Sequence, residues 1–192
     1  MKLFLTVTIL LLLAGSNYAA DWDLDKGSKQ IGGYINLRYM SGDLYEYYDH
    51  GITVITLSPY FQYFIQPRFS IGGLVYVSKT VQGDDTWNSL SIGPGMTYYF
   101  GNSDSKYWPF VGTAFLITAD SWGANGNDPF GGEDGTSGST FQFAGGMMFK
   151  LVDHIHLKGQ LYYQFNTLGG NHAEKQSGNV IGLNFGISGF VY

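Results

Sequence analysis

From residue 29 to the end of the chain, apolar and polar side chains alternate with a period of two, in segments of about ten residues closed by clusters of Gly, Asn, Asp, Ser and Pro. Successive side chains of a strand point to opposite faces, so this pattern predicts strands rather than helices. Eight segments can be read: 29–39, 52–63, 69–78, 88–100, 108–118, 140–150, 155–165 and 179–192. In the first, Ile31, Gly33, Ile35, Leu37 and Tyr39 share one face and Tyr34, Asn36 and Arg38 the other. In the seventh, the clearest, Ile155, Leu157, Leu161, Tyr163 and Phe165 alternate with His156, Lys158, Gln160, Tyr162 and Gln164. Leu74 falls on the polar side of the third segment, and Phe110 and Leu116 share the inner face of the fifth with Gly112 and Ala114. The phase of the eighth slips near Ser188-Gly189, where a β-bulge is expected.

About ten residues is the length a tilted strand needs to cross a bilayer, and an even number of strands suits a barrel. The connections alternate in length. Those at 64–68, 100–107 and 151–154 are comparatively short, and those at 41–51, 80–87, 120–139 and 166–178 are generally longer. Short turns at one end and long loops at the other are the layout of an outer-membrane barrel. The predicted fold class is therefore all-β: a closed, antiparallel, eight-stranded transmembrane β-barrel with up-and-down meander topology over residues 29–192. Closure follows from the solvent, because an open strand edge leaves backbone donors unpaired in hydrocarbon. No carboxylate lies in the middle of a predicted strand, while Arg38, His156 and Lys158 sit on polar faces. Tyr39, Tyr63, Trp87, Tyr98, Phe100 and Trp108 lie near strand ends, where interfacial aromatic girdles are expected.

The N-terminus sets the compartment. Lys2 precedes an apolar run over 3–14, followed by small residues around Ala14-Gly15-Ser16 and Ala19-Ala20. That layout predicts a secretory signal peptide over 1–20, cut between Ser16 and Ala20, and then a polar lead-in over 21–28. The run is shorter than the roughly 20 residues of a spanning helix. The chain has no cysteine, which removes disulfides, thiol nucleophiles and lipidation after Leu13-Ala14-Gly15. Charged residues make up 13% of the chain, with Gly 28, Tyr 15 and Phe 14 in their place, as suits a lipid-facing exterior around a polar interior. A net charge of −5 without a basic stripe argues against nucleic acid as a partner. The expected location is the bacterial outer membrane.

The sequence resembles the small eight-stranded outer-membrane barrels of the OmpA transmembrane domain and OmpX type. The resemblance is carried by the last strand with Phe185, Phe190 and Tyr192 and by Tyr107-Trp108-Pro109-Phe110-Val111-Gly112. Leu57-Ser58-Pro59 and Ser70-Ile71-Gly72-Gly73 add to it. It is one of pattern over nearly the whole mature chain. It implies residence in outer-membrane lipid and recognition of Phe190 and Tyr192, as an assembly signal, by the barrel-assembly machinery. Members of that family act as envelope-stabilising proteins, adhesins or host-factor binders.

An eight-stranded barrel has an interior just wide enough for its side chains to fill. The expected lumen cluster comprises Tyr34, Arg38, Tyr60, Gln62 and Tyr76 together with His156, Lys158, Gln160, Tyr162 and Gln164. Its slight basic excess leaves a narrow pore for small or anionic solutes as the alternative to a packed polar core. The candidate surface-binding loops carry Tyr45, Tyr47 and Tyr48 in the first and Trp122, Phe130, Glu133 and Asp134 in the third, suited to an extracellular protein or glycan ligand. His154-Ile155-His156 has no Ser at a matching spacing, and no metal or cofactor pattern is present, so no catalysis and no cofactor are expected. The leading reading is an envelope-structural or surface-binding, adhesin-like barrel. A lipid-modifying enzyme and a soluble periplasmic ligand carrier are more remote.

Overall fold

The computed structural model describes residues 23–40, 52–83, 85–124, 136–169 and 176–192. Eight strands follow one another: β1 (Lys29–Met40), β2 (Ile52–Gln66), β3 (Phe69–Gln82), β4 (Asp85–Tyr99), β5 (Tyr107–Ala124), β6 (Thr136–Val152), β7 (Ile155–Gly169) and β8 (Gln176–Val191). Each pairs antiparallel with the next, and β8 returns to β1 through pairs such as Gln30↔Phe190 and Ile35↔Phe185, closing the barrel. The eight predicted segments correspond one to one to these strands.

The outward face is apolar, with Ile35, Leu37, Ile117, Ile181 and Phe185 all 60% or more exposed. Among the described residues no second layer covers those side chains, and an apolar outer belt on a closed barrel suits contact with lipid. Lys79 and Lys150 sit near strand ends, and Lys150 is paired with Asp153 at 2.8 Å. Pro59 and Pro94, both exposed, fall where the β2–β3 and β4–β5 ladders skip residues, since proline has no N–H to donate. The backbone at Gly72 approaches β2 so closely that a Cβ there would meet the Phe61 carbonyl oxygen at 1.9 Å.

Three expectations are corrected. First, β8 carries no bulge at Ser188-Gly189. Its register to β7 and β1 is continuous there, and Ser188 and Phe190 both point inward. The apparent phase slip arises because an aromatic occupies an interior position. The irregularities lie instead at Phe64/Gln66 and Lys150/Val152, beside two-residue turns whose last residues, Arg68 (φ 68°) and His154 (φ 66°), are left-handed. Second, Trp108 belongs to no girdle. It is 2% exposed inside the barrel, with its indole Nε1 donating to the Asn102 carbonyl at 2.9 Å. Tyr98 and Phe100 do face outward, edge to face at 5.0 Å. Third, the expected long loop over 80–87 is a tight hairpin in which Gln82 pairs with Asp85 and Gly83 takes φ 60°. Beyond the hydrocarbon no outward face has to be apolar, so these residues lose the alternation yet keep their ladder bonds.

The barrel interior as candidate functional site

The short-turn end is sealed from below. Residues 23–28 fold across the mouth through backbone bonds: Gly27 N donates to Phe64 O (2.9 Å), Phe64 N to Ser28 O (3.0 Å) and Arg68 N to Leu24 O (2.7 Å). Leu24 is thereby inserted, fully buried, into a layer with Phe64, Tyr99 and Phe190, which Trp108, Phe110 and Met148 complete. Ring centroids within this layer lie 5.6 Å (Tyr99–Phe110) to 5.9 Å (Phe64–Phe190) apart, a spacing typical of packed aromatic pairs. The Asp23 carboxylate fixes the start of this strap. His154 Nδ1 donates to Oδ1 at 2.9 Å, and the Tyr192 hydroxyl donates to the same oxygen. His156 Nε2 lies 3.2 Å from Oδ2 but its N–H is poorly aimed, so that contact is electrostatic rather than a formed hydrogen bond. Burial alone would raise the Asp23 pKa. Its contact with His156, the bonds from Tyr192 and His154 and the His156 charge outweigh it and hold the carboxyl well below the usual carboxylate range. Burial, followed by its bond to Asp23, pushes the Tyr192 phenol up.

Above this layer Lys158, 3% exposed, donates from Nζ to Tyr99 Oη at 2.8 Å. Its ammonium lies 4.6 Å from the ring centre of Phe110, 4.8 Å from Tyr60, 5.2 Å from Tyr99 and 5.7 Å from Tyr34. No carboxylate pairs with it among the described residues. Ring quadrupoles therefore take the place of a counter-charge. The Tyr99 hydroxyl donates to Gln30 Oε1 (2.8 Å) and lies 3.2 Å from Gln62 Oε1, and the two glutamine amides continue outward, Gln30 Nε2 donating to Ser188 Oγ (3.0 Å) and Gln62 Nε2 to Thr97 Oγ1 (2.7 Å).

Higher again, Gln142 Oε1 accepts from Tyr76 Oη (2.8 Å) and Gln164 Nε2 (2.9 Å). Tyr76 and Gln164 also line a cavity of about 140 Å³ whose other walls are Tyr162 and Ser, Thr and Asn side chains. Only a gap of about 30 Å³ lies on the Tyr34–Tyr60 side of Gln142.

Of the ten residues expected in the lumen, Tyr34, Tyr60, Gln62, Tyr76 and Tyr162 are buried inside, as are His156, Lys158 and Gln160, and Gln164 is half-buried there. The Arg38 side chain lies outside the described residues, as do Tyr45, Tyr47, Tyr48, Phe130, Glu133, Asp134, the side chain of Trp122 and the expected signal peptide. Phe190 is an interior residue and Tyr192 a rim residue of the strap. Sequence reasoning missed Asp23, Leu24, Gln30, Tyr99, Trp108 and Met148. For Leu24 the signal was faint: a lone leucine between aspartates. For Tyr99 it was plain, since its ring falls on the same strand face as Ser91 and Thr97.

No protein-family model and no curated protein matches the chain. Solved structures do. Neisserial surface protein A aligns with a TM-score of 0.51 at 15% identity, covering 84% of this chain and 94% of that one. The outer membrane protein OprG from Pseudomonas aeruginosa gives 0.53 at 13% identity, covering 90% and 100%. The N-terminal β-barrel domain of P. aeruginosa OprF gives 0.51 at 13% identity, covering 86% and 98%. Closed topology, meander order, apolar belt and these neighbours agree: the chain has the fold of the small eight-stranded outer-membrane β-barrels.

Proposed function

We propose that the protein is an outer-membrane barrel that does not conduct, and that it acts from its extracellular side in an envelope-structural or surface-binding role. The observation that carries this reading is the seal at the short-turn end, where Leu24, Phe64, Tyr99, Trp108 and Met148 are all 2% exposed or less. A continuous path would have to pass those rings and the caged Lys158. The two described histidines, His154 and His156, are both turned to Asp23 in the strap, which favours a structural over a catalytic use. The outward apolar face speaks against the soluble-carrier alternative, which would need that face hydrated. Partners under this reading are outer-membrane lipid, the barrel-assembly machinery and an extracellular protein or glycan met by the loops.

Planar-bilayer recording of the refolded protein tests the claim. No stepwise current above the bilayer background is expected, whereas reproducible single-channel steps would overturn it in favour of a narrow pore. The surface-binding part has its own test: deleting 125–135 should abolish cell-surface binding while leaving the barrel folded, and unchanged binding would sink that role.

A further inference from the structure

We propose that the upper interior is a binding site for an uncharged polyol about the size of a monosaccharide. The space is made by the sequence itself. An eight-stranded barrel ordinarily fills with side chains, but here the inward positions at one level of β2 to β6 carry the small residues Thr56, Ser78, Ser89, Ser91, Thr118 and Thr140. The resulting cavity of about 140 Å³ is roughly ten times what one water needs.

Its chemistry selects the ligand. Hydroxyls form a band around the wall: Thr56 with Ser78 at 2.9 Å, Ser91 with Thr118 at 2.8 Å and Thr118 with Thr140 at 3.2 Å, ending in Thr140 Oγ1 donating to Asn166 Oδ1 at 2.7 Å. Each hydroxyl has one proton and two lone pairs, so a band bonded to itself keeps acceptor capacity for an incoming O–H. Asn184 supplies the complementary donor. It is 2% exposed, lines the cavity, and its Nδ2 has no hydrogen-bond partner among the described residues. Tyr76 and Tyr162 line the same cavity and offer aromatic surface to the C–H faces of a ring.

The described side chains that line it are all uncharged, so recognition at this wall is by hydroxyl and amide hydrogen bonds rather than by charge. An apolar ligand would leave the hydroxyls unmatched. With the lower end closed, a bound solute enters and leaves by the same mouth.

The test is ligand-observed saturation-transfer NMR on the refolded full-length barrel in detergent, with glucose as probe and gluconate as its charged counterpart. Glucose should give a saturable signal that gluconate does not. Thr118→Val and Asn184→Leu, each checked for folding by a retained heat-dependent gel shift, should weaken glucose at least about tenfold, since each leaves a buried polar contact unmade. No saturable glucose signal in the wild type, equal affinity in both variants, or equal affinity for gluconate would each overturn the site. Bilayer recording keeps the two readings apart: a conducting barrel that still binds glucose retains the site and loses the closed-end reading. A silent barrel that binds nothing loses the site alone.

Discussion

A buried ammonium with no carboxylate beside it is costly, and Lys158 is tolerated because four ring faces and one phenol oxygen surround it. Its two sides are therefore not equivalent to mutation. Lys158→Met keeps most of the length of the side chain and removes the charge, so stability in lipid vesicles, read from urea unfolding, should stay level or rise by up to about 2 kcal/mol. Tyr99→Phe keeps the ring but strips the ammonium of its acceptor and Gln30 of its donor, and should lose about 1–3 kcal/mol. A larger loss for Lys158→Met than for Tyr99→Phe would contradict this account. That Lys158 lies inside was legible because period two fixes which face every residue takes. That Tyr99 receives it was not, because alternation places Tyr99 (β4) and Lys158 (β7) on inner faces without saying which side chains of distant strands meet across the lumen.

At the scale of elements, the strap over 23–28 is the part least visible in the sequence. It has no periodicity, and its hold comes from contacts distant along the chain, Leu24 with Phe64 and Asp23 with His154 and Tyr192. Leu24→Ala should cost about 2–5 kcal/mol, the range for emptying a buried leucine site, in the same unfolding assay. Titration gives a second handle. The Asp23 pKa is depressed in the fold, so its contribution is present above the ordinary value of about 3.9 and is lost as pH falls below it. The Tyr192 pKa is raised, so its contribution is present below about 10 and is lost as pH climbs beyond. The strap should hold between those limits. Hydrogen exchange at Arg68 N–H, which donates to Leu24 O, should become faster relative to its intrinsic rate near pH 3 than at pH 7. Asp23→Asn should flatten that acid response, and an unchanged response would mean another group is responsible. The strands, by contrast, were legible from alternation alone. Their upper ends were not, because above the bilayer β3 and β4 continue on ladder bonds without an apolar face to mark them.

For the whole molecule, the seal is distributed, and this decides how it can be opened. The strap contributes one side chain, Leu24, whereas Phe64 (β2), Tyr99 (β4), Trp108 and Phe110 (β5), Met148 (β6) and Phe190 (β8) come from the barrel wall itself. Eight strands fix a bore that such side chains fill, so taking away the strap leaves a dimple rather than a channel. Deletion of 23–28 should therefore lower stability and still give no current in a planar bilayer. Adding Phe64→Ala and Phe190→Ala to that deletion removes two rings that lie 5.9 Å apart in the intact protein and thins the layer below Lys158 to Tyr99, Trp108, Phe110 and Met148. With the ammonium then the first charge a solute meets, any current that appears should favour anions, measured as a reversal potential under a potassium chloride gradient. Current from the strap deletion alone would mean that the strap is the gate and the wall residues are only its seat. Silence from the combined variant, with the heat-dependent gel shift retained, would move the barrier upward to the Tyr34–Tyr60–Lys158 layer, where Tyr34 and Tyr60 already stack at 5.1 Å.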